Sequence, residues 1–239
     1  ATWHALALDL EQSGQGADEA FGGYFWYPQM EAETGDDLDR FRRHYFDRPH
    51  ADFLAAVTEP YRGADFTSDY VRAQLATKHG ASFLDRVLRL DVTTLLVDDP
   101  VKRVDNMTMA WGLEARVPFL DHELVELAAR MPPAFRLRDG GKYPLKKIAR
   151  GWLPDSVIDR PKGYFPVPVL KYVRGPFLDF MREILTSEAC RRRNVFERSH
   201  IDALLAAPES HMTPIGGSLL RHAAMLELWF QRVVDPVAG

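Results

Sequence analysis

A glycine-rich turn near the start of the chain holds the residues with the clearest chemistry. In residues 12–24 (QSGQGADEAFGGY), a hydroxyl and two glycines follow an apolar run, and an acidic pair comes shortly after them. Small residues such as Gly14 and Gly16 let the backbone approach a ligand closely and leave N–H groups that can face an anion. The stretch therefore predicts a phosphate-binding turn, with an ordinary tight turn as the alternative.

A short apolar segment has to position this turn. Residues 3–10 (WHALALDL) are predicted to form a strand, which the turn chemistry of residues 13–16 ends. Residues 92–97 are one other, weak strand candidate. Because a parallel strand needs neighbours for its backbone groups, we expect further strands from a segment before Ala1. The predicted fold class is α/β, predominantly helical in this chain, which is expected to be the C-terminal part of a longer protein.

Helices are predicted over most of the chain after residue 36. Asp36 or Asp37 can cap one helix and Asp121 another, and Pro144 can open a third. Residues 219–234 (LLRHAAMLELWFQRVV) predict an amphipathic helix near the end of the chain.

The helix between residues 98 and 112 has its own start and stop signals. Two aspartates precede Pro100, which is predicted to occupy a first helical position, and Gly112 is predicted to end the run. Its apolar residues recur at helical spacing, so Met107 and Met109 are predicted to lie in the core.

Composition limits the classes of protein. With 239 residues, 46% hydrophobic and 27% charged, the chain can bury a sizeable core as one large or two small domains. Its formal net charge of −4 argues against nucleic acid as a partner, and the run at residues 191–193 (RRR) is interpreted as a solvated helix face. We expect a cytoplasmic protein without a membrane span, because the single Cys190 fits a reducing compartment and no long apolar stretch occurs.

Three blocks carry a resemblance to a known family. They are residues 13–24 (SGQGADEAFGGY), 103–126 (RVDNMTMAWGLEARVPFLDHELVE) and 159–168 (DRPKGYFPVP). Together they resemble the synthetase domain of the glutamine-dependent asparagine synthetase family, over nearly the whole chain. The Gly-Gln-Gly variant, PKGYFPVP and the tail HMTPIGGSLLRHAAMLELW are most similar to the branch that amidates the dipeptide N-acetylglutaminylglutamine.

The resemblance implies a PP-loop ATP pyrophosphatase fold, of the adenine nucleotide alpha hydrolase-like kind, and a two-step reaction. A substrate carboxylate attacks the α-phosphate of ATP and releases pyrophosphate, and ammonia from glutamine then displaces AMP from the acyl-adenylate to give an amide. ATP and Mg²⁺ are the implied cofactors, and a small carboxylate is the implied substrate. An oligomer is compatible with the sequence.

The resemblance also implies a longer protein. Family members begin with a glutaminase domain that has an N-terminal cysteine nucleophile, and their synthetase domain opens with a Ser-Gly-Gly-x-Asp-Ser PP-loop. Neither element is present in this chain. Residues 1–239 are therefore expected to be the C-terminal portion of a synthetase domain, with the PP-loop and the glutaminase domain upstream.

Four residues match family positions with known roles. Ser13 and Gly14 match positions whose backbone meets the nucleotide, and Asp18 matches the carboxylate that holds Mg²⁺ on the pyrophosphate. Lys162 matches the lysine that contacts the phosphates and the charge that develops during adenylation, which makes it a candidate catalytic residue. Outside this family pattern, Asp18 would be interpreted as a turn or cap residue and Lys162 as a surface lysine. The loop after Lys162 departs from the family, because residues 164–165 are Tyr-Phe where Gly-Phe is common.

Gln15, the second candidate catalytic residue, also departs from the family. Asparagine synthetases usually carry Glu here, where it is linked to adenylate formation and can complement the α-ammonium group of aspartate. An N-acetylated dipeptide has no ammonium group, and a neutral amide can both donate and accept hydrogen bonds. Gln15 is therefore predicted to mark a site for an acceptor without a free amine; alternatively, it only braces the loop.

Two further positions are of interest in the middle block. Arg103 replaces a lysine that many members have, which keeps the positive charge and changes its geometry. Glu114 and Arg116 either face the substrate or form an internal salt bridge, and we favour the salt bridge.

Two other functions stay open at this point. The first is an asparagine synthetase that acts on aspartate. The second is a helical scaffold or interaction segment that keeps the motifs but catalyses nothing without its upstream residues. Binding of ATP and Mg²⁺ separates the scaffold from either enzyme, because a specific ligand must stabilise the folded state.

Overall fold

The computed structural model describes residues 10–77, 82–161, 173–214 and 216–235. The chain divides into two units. Unit 1 is formed by Ala1–His44 and Thr67–Pro161, and unit 2 by Tyr45–Phe66 and Lys162–Gly239.

Helices dominate the described ranges, as the sequence predicts. In chain order they are α1 (Ala17–Phe21), α2 (Trp26–Ala32), α3 (Asp37–Tyr45), α4 (His50–Ala56), α5 (Phe66–Leu75), α6 (Phe83–Leu90), α7 (Lys102–Met109), α8 (His122–Ala129), α9 (Pro133–Arg136), α10 (Tyr143–Ala149), α11 (Asp155–Ile158), α12 (Gly175–Thr186), α13 (Glu188–Arg193), α14 (Arg198–Ala206) and α15 (Leu219–Trp229). In the described part of the chain, no helix is both long enough and apolar enough to cross a membrane.

Two short strands form the sheet within the described ranges. β1 (Leu10–Gln12) runs parallel to β2 (Glu114–Arg116), with Leu10 opposite Glu114 and Gln12 opposite Arg116. Only the last residue of the predicted strand, residue 10, lies in the described ranges. Whether further strands precede Ala1 stays a prediction.

The predicted strand at residues 92–97 is wrong, because this segment continues a helix. α6 starts with a capping box in which the side chains of Ser82 and Asp85 each accept the other's backbone N–H. The helical path then continues through two wider turns of π-helix, Asp91–Leu95 and Val97–Val101, into α7. Leu96 between these turns is 1% exposed, so its burial on the helical path outweighs the strand preference of the β-branched residues around it.

Pro100 lies inside the second wide turn and not at a helix start, which corrects a second prediction. Proline lacks an N–H and its ring crowds the carbonyl of the preceding turn, and a widened turn relieves both effects. The predicted stop is confirmed, since α7 ends at Met109 and Gly112 has φ of +69°. The predicted burial of Met107 and Met109 is wrong, because they are 67% and 51% exposed.

The core of unit 1 packs α1 against α8. Ala20 and Phe21 of α1 are buried with Ala128 of α8. Two predicted caps stabilise this unit: the Asp36 carboxylate accepts the Leu38 N–H at 2.9 Å, and Asp121 caps α8. Pro144 lies in the first turn of α10, as predicted.

Unit 2 has its own core between α12, α14 and α15. The buried members of that core include Met181, Leu185, Ile201, Leu204, Leu220 and Ala224. Glu227 is fully buried, and its Oε2 lies 3.1 Å from Arg193 Nε. Arg193 also binds Asp235 at 2.7 Å, so it does not belong to the solvated face predicted for residues 191–193. Burial, with Glu227 nearby, raises the pKa of the Cys190 thiol to about 11, which keeps that thiol protonated and unreactive near neutral pH.

Candidate active site

The loop between β1 and α1 lines a cavity of about 380 Å³. The N–H of Ser13 continues the sheet and donates to the carbonyl of Arg116 at 2.8 Å. The next three N–H groups, of Gly14, Gln15 and Gly16, have no hydrogen-bond acceptor among the described residues. Adjacent N–H groups left unpaired beside a cavity can bind an anion.

The two glycines of this loop have different surroundings. Gly16 has φ of +90°, and a Cβ there would lie 2.3 Å from Leu120 Cδ2. A Cβ at Gly14 would meet no atom within 4 Å. Packing within the described residues therefore explains the glycine at position 16, whereas a ligand close to the backbone would explain the one at position 14.

An ion pair lies beside the loop. Oδ1 of Asp18, in α1, is 3.1 Å from Nζ of Lys142. The exposed fractions of the two side chains are 24% and 31%, so both are partly shielded and both can still be reached from solvent. A carboxylate and an ammonium group side by side offer a metal ligand and a phosphate ligand within one small region.

Two glycine turns hold Lys142 against α1. All four residues from Asp139 to Lys142 have positive φ, between 53° and 90°. The N–H of Lys142 donates to the carbonyl of Phe21 at 3.0 Å, and a Cβ at Gly141 would lie 2.1 Å from the carbonyl oxygen of Gly22. Only glycine permits this approach of one backbone to the other.

Gln15 forms a hydrogen bond with another residue that lines the cavity. Its Nε2 donates to the carbonyl of Pro100 at 3.1 Å, in the second wide turn. Its Oε1 is buried and has no hydrogen-bond partner in the described ranges. The amide therefore braces the loop through one end and offers an acceptor at the other. Arg103 lines the same cavity and pairs with Asp99 at 2.9 Å.

A tyrosine and a buried carboxylate complete the wall. Glu19 is 2% exposed, and its Oε1 accepts a hydrogen bond from the hydroxyl of Tyr24 at 2.5 Å. Burial, together with the Glu19 carboxylate, raises the pKa of Tyr24 well above its ordinary value. The tyrosine hydroxyl thus stays protonated and acts as a donor to Glu19.

The structure brings four predicted site residues to one cavity: Ser13, Gly14, Gln15 and Asp18. Lys162, the fifth, lies outside the described residues, so its role stays a prediction. Glu114 and Arg116 form an ion pair at 3.3 Å on an exposed face of β2.

Sequence reasoning missed Lys142. The sequence contained a signal for it in the Asp-Gly-Gly-Lys run of residues 139–142. Two consecutive glycines before a basic residue indicate a turn, as the glycines of residues 14–16 do.

The donor set around Asp18 suits a magnesium ion. Across the described ranges, no three His, Cys, Asp or Glu side chains come together as metal ligands. Mg²⁺ usually keeps several waters and binds through one or two carboxylates and the phosphates of a substrate. A single partly exposed carboxylate beside an ammonium group and unpaired N–H groups fits that pattern.

Comparison with known proteins identifies the family of this chain. Residues 8–231 match the family described as Asparagine synthase. Asparagine synthetase [glutamine-hydrolyzing] 3 of Bacillus subtilis is 26% identical over 245 residues, which cover 92% of this chain and 37% of that protein. A putative asparagine synthetase [glutamine-hydrolyzing] of Mycobacterium bovis is 31% identical over 197 residues, which cover 68% of this chain and 30% of that protein.

The chain belongs to the asparagine synthase family. It spans 37% of the length of the first of these relatives and 30% of the length of the second.

Alanine substitutions at Gly14 and Gly23 are predicted to have different effects on α1. A Cβ at Gly23 would lie 2.0 Å from Asp18 Oδ1, so Gly23→Ala must displace Asp18 from Lys142. We expect Gly23→Ala to speed hydrogen exchange of the α1 amides by roughly tenfold or more, and Gly14→Ala to leave it within about twofold. Hydrogen–deuterium exchange of the full-length protein measures both. Equal exchange in the two variants would contradict the contact between Gly23 and Asp18.

Proposed function

We propose that this chain is the C-terminal portion of a synthetase domain in a glutamine-dependent carbon–nitrogen ligase. The reaction activates a substrate carboxylate as an acyl-adenylate, with release of pyrophosphate, and ammonia then forms the amide. The observation that carries the proposal is a cavity lined by residues 14–16, whose N–H groups are unpaired among the described residues, and by Asp18, which pairs with Lys142. Membership of the asparagine synthase family supports it.

Each candidate group has a role in this proposal. The N–H groups of Gly14, Gln15 and Gly16 receive oxygens of the ATP phosphates, and Lys142 and Lys162 balance the negative charge that develops as pyrophosphate leaves. Asp18 holds Mg²⁺, which supplies charge neutralisation on the pyrophosphate when it is bound. Preorganised donors of this kind need no rearrangement at the moment of reaction, which is why they accelerate it.

The domain organisation is part of the proposal. The PP-loop and a glutaminase domain lie upstream of Ala1, and the glutaminase supplies ammonia. Two observations support this: the relatives are much longer than this chain, and the sheet within the described residues has two strands, fewer than an α/β domain usually has.

The proposed acceptor is N-acetylglutaminylglutamine. Gln15 presents a buried oxygen, Oε1, that lacks a partner in the described residues and can accept an N–H from a neutral amide. A glutamate at this position would lose the hydrogen bond to the Pro100 carbonyl and would bring a negative charge next to that oxygen. The loop geometry thus supports a neutral residue, and a neutral residue suits an acceptor without a free ammonium group.

The nucleotide site is tested with charge and backbone variants of the full-length protein. We expect Asp18→Asn and Lys162→Ala each to slow ATP-dependent pyrophosphate release by roughly a hundredfold or more, because an oriented charge is lost. Gly14→Ala should weaken ATP binding although its α1 amides exchange normally. Asp69→Asn, the same change at an exposed ion pair of α5, is the matched control and should stay within about twofold.

Glutaminase activity should persist in all of these variants. An unmodified protein that gains no thermal stability from ATP and Mg²⁺ would contradict the nucleotide site and favour the scaffold role.

Acceptor choice is tested at Gln15. The ratio of kcat/KM for N-acetylglutaminylglutamine to that for aspartate should exceed ten in the unmodified enzyme, and Gln15→Glu should lower it by roughly tenfold or more. The KM for ATP should change less than about threefold, which separates acceptor recognition from nucleotide binding. Efficient amidation of aspartate by the unmodified enzyme would instead assign asparagine synthesis.

A further inference from the structure

The turn before α10 has a backbone conformation that most residues avoid. We call residues 139–142 (DGGK) the DGGK turn; all four have positive φ, and Asp139 and Lys142 are not glycine. Left-handed backbone is unfavourable for residues that carry a Cβ. Lys142 is the N-cap residue of α10, yet its side chain makes no capping hydrogen bond. Lys142 therefore does not stabilise the start of α10 in the usual way, and its Nζ pairs with Asp18 instead.

A second lysine contacts the DGGK turn from α10. Nζ of Lys146 donates a hydrogen bond to the carbonyl of Asp139 at 2.6 Å. Within the described residues, that carbonyl accepts no other hydrogen bond. The same Nζ lies 3.9 Å from the position that a Cβ of Gly140 would occupy. The ammonium group of Lys146 thus lies against the first half of the turn.

Helix geometry explains why Lys146 reaches the turn and its neighbour Lys147 does not. Lys146 follows Lys142 by four residues, which is about one turn of helix, and side chains on a helix point back towards its N-terminus. Lys147 is exposed and lies on another side of α10, because adjacent residues of a helix are about 100° apart. The two lysines therefore form a natural pair of test and control positions.

The DGGK turn determines where the Lys142 ammonium group lies. The N–H of Lys142 donates to the carbonyl of Phe21 at the end of α1, at 3.0 Å, and its Nζ lies 3.1 Å from Oδ1 of Asp18 in the same helix. A shift of the turn would therefore move Nζ away from Asp18. Misplacing an oriented group by about 1 Å can cost roughly a hundredfold in rate.

We propose that Lys146 is a positioning residue for Lys142. Its hydrogen bond to the Asp139 carbonyl holds the DGGK turn in the left-handed conformation. The turn in turn holds Nζ of Lys142 beside Asp18, where it meets the leaving pyrophosphate. Lys146 itself does not contact the phosphates. This inference rests on the proposed function and adds the group that fixes the position of one of its charged residues.

The test uses variants of the full-length protein. Lys146→Met removes the ammonium group and keeps a side chain of similar length, whereas Lys146→Arg restores a positively charged donor. Lys147→Met makes the same change at the next, exposed position of α10. A further pair compares Lys142→Met alone with Lys142→Met combined with Lys146→Met. The measurements are ATP-dependent pyrophosphate release and calorimetric binding of inorganic pyrophosphate in the presence of Mg²⁺.

We expect Lys146→Met to slow pyrophosphate release by roughly tenfold and to weaken pyrophosphate binding by about fivefold, because Lys142 loses its fixed position. The KM for the carboxylate substrate should stay within about twofold, since that group is not affected. Lys146→Arg should recover the rate to within about threefold, and Lys147→Met should remain within about twofold of the unmodified enzyme. In the Lys142→Met background, Lys146→Met should cost less than about twofold more, because its effect acts through Lys142.

Two results in an active enzyme would overturn this inference alone. The first is an equal rate in the Lys146→Met and Lys147→Met variants. The second is an undiminished loss from Lys146→Met in the Lys142→Met background, which would show that Lys146 acts on the phosphates directly or on the fold as a whole.

Failure of the proposed function would give a different result. If the unmodified protein releases no pyrophosphate with any carboxylate, the proposed reaction fails, and binding of pyrophosphate with Mg²⁺ still tests the positioning role. Weaker binding by Lys146→Met than by Lys147→Met would support that role. Equal binding by the two variants, or no binding by the unmodified protein, would overturn it.

Discussion

The contact between two glycine turns is the constraint on which the candidate site depends. Gly22–Gly23 ends α1, and Gly140–Gly141 precedes α10; the backbone at Gly141 approaches the carbonyl of Gly22 so closely that no side chain fits. This contact places Lys142 beside Asp18 and fixes α1 relative to α10. Asp139 and Lys142 are held in the left-handed region, at a cost on the order of 1 kcal/mol each, which the surrounding packing must offset.

The loop before α1 differs from this contact, because its polar groups do not stabilise the described fold. Its three unpaired N–H groups contribute nothing to the stability of the described fold, and the buried Oε1 of Gln15 lowers it. Polar groups that lower the stability of a fold in this way are typical of functional sites. Rigid elements surround the loop: β2 fixes Ser13, the wide turn at Pro100 holds Gln15, and Tyr24 with Glu19 closes the wall. Each of these contacts thus holds one part of the loop or of the cavity wall in place.

Local signals predicted the local structure well. The caps at Asp36 and Asp121 and the stop at Gly112 follow from side-chain and backbone chemistry within a few residues. Residues 92–97 misled the prediction because their β-branched side chains favour strands, whereas burial of Leu96 on a continuing helix decides the outcome. Lys142 was missed because its partner Asp18 is far away in sequence, and only tertiary contact joins them. Two of the three blocks of family resemblance, residues 13–24 and 103–126, contain residues that line the cavity.

The central claim is that a carboxylate attacks the α-phosphate of ATP, and isotope transfer tests it most directly. The full-length enzyme is supplied with ATP, Mg²⁺, glutamine and N-acetylglutaminylglutamine whose terminal carboxylate carries ¹⁸O. Mass spectrometry of the products should find one ¹⁸O atom in AMP and none in pyrophosphate, because the acyl–oxygen bond breaks when ammonia displaces AMP. Recovery of ¹⁸O in inorganic phosphate, with ADP as the other product, would contradict the account and indicate an acyl phosphate.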